Sequence, residues 1–143
     1  MNKFAFIIHP LEIDDVARKF SWAVKIPESL LEYFVKMIPP VKASYITGIK
    51  SRLGTEIEGF FVGVPLTSKQ MISMPVNKVY KKIIKACKKA EELGAQMIGL
   101  GAFTSVVGDK GISIAREIST PITTGNSYTV ATAIEGTKLA AEK

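Results

Sequence analysis

The sequence contains one cysteine and one histidine among its 143 residues. A single cysteine excludes an internal disulfide and any zinc site built from several thiolates, and it suits a reduced, cytoplasmic setting. With His9 as the lone histidine, no spacing ties an imidazole to a particular serine, so a Ser-His-Asp relay has no support. HExxH, Walker A and GxSxG patterns are missing. Gly99, Gly101 and Gly108 do not fit the GxGxxG spacing that opens a dinucleotide-binding helix. No apolar run approaches the roughly 20 residues of a membrane helix. The apolar start is interrupted at once by Pro10, Asp14 and Asp15, which reads as a first strand rather than a signal peptide. Internal repeats and low-complexity tracts are also absent.

What remains is an ordinary globular composition. Hydrophobic residues make up 47% and charged residues 22%, enough to build a core and too apolar for a disordered chain. Residues 1–143 read as one domain. The net charge of +6 permits an acidic partner without naming one.

Along the chain, strand and helix patterns alternate. Residues 3–8 form an apolar strand ending at His9-Pro10. A short helix follows over 13–20, with Asp14 and Asp15 in its first turn, where the helix dipole favours them. Pro27 opens a second helix over 28–37, and Pro39-Pro40 stops it. Strands over 41–49 and 56–64 flank a short turn containing Gly54, as an antiparallel hairpin would. Residues 66–74 are ambiguous. The clearest helix runs over 78–93, from a cap at Asn77 to Gly94. Val79, Ile83, Cys87, Ala90 and Leu93 share its apolar stripe, and six lysines lie largely on the other face. Cys87 therefore reads as a core residue rather than a nucleophile. The lysines read as a solvated face, because no arginine or aromatic cluster accompanies them as on a nucleic-acid surface.

The segment 96–129 carries the functional signal. A buried strand over 97–102 leads to Thr104-Ser105, a helix over 109–118 returns the chain, and a strand over 121–124 leads to Gly125-Asn126-Ser127 and a last, alanine-rich helix. A crossover of this kind makes the two strands parallel. Both polar turns then fall at strand carboxyl ends, where open α/β proteins bind ligands, and at helix N-termini, which favour anions. Phe103, Thr104, Ser105, Thr124, Gly125, Asn126 and Ser127 are thus the candidate binding residues, with His9 joining them if the first strand lies alongside. The plainer alternative is that the hydroxyl and amide side chains only cap helices. Lys69 is a candidate general acid or substrate clamp or, more plainly, a solvated lysine, and Asp109-Lys110 reads as a turn and helix start.

GLGAFTSVV followed by ITTGNSYTVA resembles the N-terminal domain of the long-chain acyl-[acyl carrier protein] reductases, and of relatives described as amino acid dehydrogenase-like or shikimate dehydrogenase-like proteins. His9 and the Ile57–Gly59 tripeptide also match. Tyr128 stands where the reductases have histidine, which favours the broader dehydrogenase-like group. The resemblance implies a three-layer α/β sandwich with a mostly parallel sheet, serving as the substrate-binding part of an NAD(P)-dependent oxidoreductase that acts on a carbonyl or acyl substrate. It also implies that NAD(P) is bound by a Rossmann domain expected after residue 143, with no cofactor or metal held by this chain, which alone would be inactive. An acyl-thioester substrate and an acidic carrier protein are the implied partners, and a homo-oligomer is left open. The alternative from a different class is a stand-alone phosphate- or nucleotide-binding module.

Overall fold

The computed structural model describes residues 2–142. A five-stranded mixed sheet with strand order β2-β3-β1-β4-β5 organises the chain. Strand β1 (Asn2–Ile8) runs parallel to both β3 (Glu56–Gly63) and β4 (Met97–Leu100), and β4 runs parallel to the two-residue β5 (Ile122–Thr123). Only β2 (Val41–Lys50) is antiparallel, paired with β3 as the hairpin pattern predicts. The fold is α/β with a mostly parallel sheet, as expected.

Side chains alternate across a strand, so each face follows from the register. Ala5, Ile7, Phe60, Val62, Ile98 and Leu100 all point to one face and are at most 3% exposed. Helix α4 (Val76–Glu92) covers them through Val79, Ile83, Ala86, Cys87 and Ala90. Burying each larger aliphatic side chain of this stripe contributes about 1.5–3 kcal/mol. The Cys87 thiol lies within this layer, and burial pushes its pKa up to about 12. The lysine face is solvated apart from Lys82, whose ammonium donates to the Lys36 carbonyl and whose pKa is lowered by burial.

On the opposite face, the Phe4 ring lies over Gly59 and the Phe6 ring over Gly99, each directly across from its partner in the register. A methyl group at either glycine would fall inside the facing ring. Phe6 stacks on Phe61 and meets Phe4 edge to face. Helices α1 (Ile13–Lys19) and α2 (Glu28–Val35) meet this side only near the carboxyl ends of β1 and β3, around a small cluster of Ile13, Val16, Ala23, Leu31 and Val35. Farther down, Phe6 is 40% and Met97 52% exposed. The expected third layer is therefore partial.

Several elements are shorter than their patterns. The strand expected over 97–102 ends at Leu100, because Ala102 takes a left-handed φ of 48° and turns the chain into a 3-10 turn, Ala102–Ser105. The helix expected over 109–118 is only α5 (Ile112–Arg116), since Lys110 and Gly111 both hold positive φ and interrupt it. Gly111 fits against Leu100 and Thr124, where a side chain would collide with Leu100. The ambiguous segment contains α3 (Ser68–Ser73), closed at its start by reciprocal bonds between Thr67 and Gln70. That Thr-x-x-Gln spacing is a capping box, a signal legible in the sequence. The last helix, α6 (Asn126–Ala141), has no buried residue.

Candidate functional site

Because β1, β3, β4 and β5 are parallel, their carboxyl ends share one edge of the sheet. His9, Thr67, the Ala102–Ser105 turn and the Gly125 turn all leave from that edge. The register thus brings the predicted residues of two loops and of the first strand to one side of the molecule.

His9 is the hinge of this edge. It is 9% exposed, and its ring donates from Nδ1 to the Pro10 carbonyl at 2.9 Å. The same ring accepts the Phe103 N–H at Nε2, at 3.2 Å. This pair of bonds assigns the neutral tautomer protonated at Nδ1. The ring also meets Phe103 edge to face, with centroids 5.8 Å apart. Residues 94 positions apart in sequence are so fastened to each other at the ends of adjacent strands.

The Ala102–Ser105 turn is directed inward. Thr104 is fully buried, and its hydroxyl donates to the Gly101 carbonyl at 2.6 Å and reaches that of Ile7 at 3.4 Å. The Ser105 hydroxyl donates to the Ala102 carbonyl at 2.7 Å. Both hydroxyls fasten the turn to backbone, and Phe103 is the half-buried member. Downstream, the Tyr80 hydroxyl receives the Asp109 N–H at 2.7 Å and donates to the Asp109 carboxylate at 2.9 Å. The other carboxylate oxygen accepts both the N–H and the hydroxyl of Ser113. The Ser113 hydroxyl, with help from Tyr80, holds the Asp109 carboxyl below the usual carboxylate range. Asp109 lies in a turn, as its sequence context predicts, and there it anchors the loop on α4.

The Gly125 turn is the opposite case. Gly125 adopts a left-handed φ of 72° and caps α6, its N–H bonded to the Thr123 hydroxyl at 3.2 Å. Asn126, Ser127 and Tyr128 are exposed, and Thr124 is half-buried. The first N–H groups of a helix lack intrahelical partners, so this end presents donors to solvent. Lys69 is exposed in the first turn of α3, on the same edge.

Beside His9 lies a pocket of about 280 Å³, unmarked by any motif. It is bounded by α1, α2 and the strand ends, through Val16, Phe20, Val35, Ile38, Val41 and Gly63. His9 and Asp15 are its polar side chains. The Asp15 carboxylate is already engaged, accepting the N–H groups of Leu11 and Glu12 and pairing with Arg18. Sequence reasoning missed this pocket because its wall comes from five separate elements. Among the described residues no cluster of three or more His, Cys, Asp or Glu is placed to hold a metal ion. No described helix is long and apolar enough to cross a membrane.

No known family profile matches the chain. Comparison with curated proteins finds a relative named aminotransferase PigE, from Serratia sp. (strain ATCC 39006), 33% identical over 81 residues. The matched stretch is 57% of this chain and 9% of that protein, so the likeness concerns a small part of a much longer polypeptide. This corrects the class expected from the sequence. The relative is an aminotransferase, not an oxidoreductase, and the dehydrogenase, NADP-dependent, acyl carrier protein reductase-like and shikimate dehydrogenase-like assignments are overturned by it.

Proposed function

We propose that this chain is the substrate-binding domain of a larger enzyme, receiving a carbonyl or acyl compound at the carboxyl edge of its sheet. The observation that carries this reading is the His9–Phe103 bond, which fastens two parallel strand ends together beside a pocket lined by His9. In open α/β proteins such an edge is where ligands enter. The name of the Serratia relative suits the carbonyl part of it alone, because an amino group is transferred to the carbon of an aldehyde or ketone. Helix α6 agrees with a larger assembly. It carries apolar residues on several sides, including Val130, Ile134 and Leu139, yet buries none of them, and a helix of that kind is normally covered. The reacting group would come from another part of the enzyme.

In this proposal Phe103 and His9 would stand on one side of the bound compound, with Gly125, Asn126 and Ser127 on the other. Gly125 leaves the backbone open to close approach. The leading N–H groups of α6 would orient a carbonyl or carboxylate oxygen. Thr104 and Ser105 act behind them, fixing the turn. The test is titration of the chain with butyryl-N-acetylcysteamine, followed by amide chemical shifts. Shifts at Phe103 and at residues 125–128, weakened at least about tenfold in affinity by His9→Ala, are expected. Shifts confined elsewhere would overturn the reading. A second reading, a phosphate- or nucleotide-binding module, draws on the exposed Gly125 turn. Titration with inorganic phosphate and a nucleoside monophosphate that moves only residues 125–128, with no thioester response, would favour it.

A further inference from the structure

We infer that two copies of this chain form a symmetric dimer in which α6 of each lies on the open phenylalanine face of the other's sheet. A mostly parallel sheet is normally covered on both faces. Here α4 covers one face, and α1 and α2 cover only the carboxyl end of the other. The remainder of that second face is apolar. Phe4, Phe6, Ile49, Ile57, Phe61 and Met97 share it by register, and each is exposed or half-buried. Among the described residues, no Asp, Glu, Lys or Arg occupies a paired strand position on this face. A contiguous apolar patch of this kind marks an interaction site.

Helix α6 is the matching surface. Helical spacing puts Val130, Ala133, Ile134, Thr137 and Ala141 along one side, all of them exposed, while Glu135, Lys138 and Glu142 fall off that line. At 16 residues α6 is about 24 Å long, and five strands make a sheet about 24 Å wide. The chain's own α6 does not reach its own open face, because the turn before it is closed. Only Thr124 and Gly125 separate β5 from α6. The Gly125 N–H is held by the Thr123 hydroxyl, and the Gly125 carbonyl accepts both the N–H and the hydroxyl of Thr129. The helix therefore departs in a fixed direction and buries nothing. A second copy brings the same two surfaces and needs no change in that turn. Two-fold exchange covers both at once and closes the assembly. With a third of each helix covered, and the matching area of each sheet, the dimer buries about 1,100 Å², just above the roughly 1,000 Å² of a specific interface. Charge agrees with this arrangement. The six lysines of α4 belong to the other face of the sheet, so they stay on the outer surfaces of the dimer and do not oppose one another across it.

Sedimentation velocity tests the exchange. At about 100 μM the wild-type chain should run as a species of twice the 15.6 kDa of one copy and dissociate on dilution. Ile134→Glu on the helix and Met97→Glu on the sheet alter exposed residues. Each should weaken association at least about a hundredfold, because it buries an unpaired charge in both contacts. Far-ultraviolet circular dichroism checks that each variant folds. Mixing the two variants separates exchange from any other pairing. A pair made of one of each keeps one unaltered helix-on-sheet contact, whereas either variant alone keeps none. The mixture should therefore associate at least about tenfold more tightly than its components. Should a variant fail to fold, methyl chemical shifts of Met97 and Ile134 in the wild-type chain should move together with concentration. A wild-type chain that is monomeric at about 100 μM, a dimer untouched by a folded variant, a mixture no tighter than its components, or methyl shifts that do not move would each overturn the inference. A monomer in which Ile134→Glu alone shifts the Met97 methyl would show the helix on its own sheet, and would overturn it too.

Discussion

The turns after β4 and β5 look alike in sequence and behave differently in the fold. Each follows a parallel strand at the same edge and carries hydroxyl residues. After β4, the hydroxyls of Thr104 and Ser105 turn inward to backbone carbonyls, and the chain beyond is pinned to α4 by Tyr80 and Asp109. After β5, Gly125, Asn126 and Ser127 remain exposed, and the helix that follows buries nothing. The difference lies in what comes next. A loop that returns to the core brings its turn inward with it, whereas a helix that leaves the core keeps its turn at the surface. Burial, rather than residue type, separates a fastener from a contact.

The difference between the two turns should show most strongly at Thr104. Thr104→Val keeps the shape and removes a buried donor that serves two carbonyls. The Gly101 and Ile7 carbonyls each keep another N–H partner, so the expected loss is about 1–2 kcal/mol of unfolding free energy. Urea denaturation would measure it. An unchanged midpoint would mean that the turn is not held from within.

A smaller, pH-dependent effect is expected at Asp109. Its folded-state pKa is depressed, chiefly by the Ser113 hydroxyl. A depressed carboxylate contributes stability that is present above its unfolded pKa and is lost as pH falls through the folded value. Acid titration of the thermal midpoint should therefore show a decline below the ordinary carboxylate range, shallower in Asp109→Asn. Parallel curves for the two proteins would show that the anchor carries no such charge dependence.

The smallest effect belongs to the exposed turn. Ser127→Ala should change unfolding free energy by no more than about 0.5 kcal/mol, as exposed substitutions usually do, while altering the thioester-induced shifts at residues 125–128. If it destabilised the chain as much as Thr104→Val, the distinction between the two turns would collapse.

The periodic elements were legible because their patterns are long and agree with their burial. The stripe of Val79, Ile83, Cys87 and Ala90 faces the core as read, and the hairpin of β2 and β3 forms as read. Element ends were less legible. The left-handed φ at Ala102 and Lys110 arises where tertiary packing imposes a turn that neither residue type announces. Asp109, the hydrogen-bond partner of Tyr80, lies 29 positions away, and no local pattern connects them.

The alternation of strands and helices, and with it a mostly parallel sheet whose loop ends gather at one edge, was legible in the residues alone. That follows from side-chain periodicity and from the handedness of crossover connections, both local properties. Tertiary structure alone decided which hydroxyls face inward, that His9 accepts a bond from Phe103, and that a pocket opens beside them. Those features depend on how separate elements pack against one another, and packing arises from surfaces that meet only when the chain is folded.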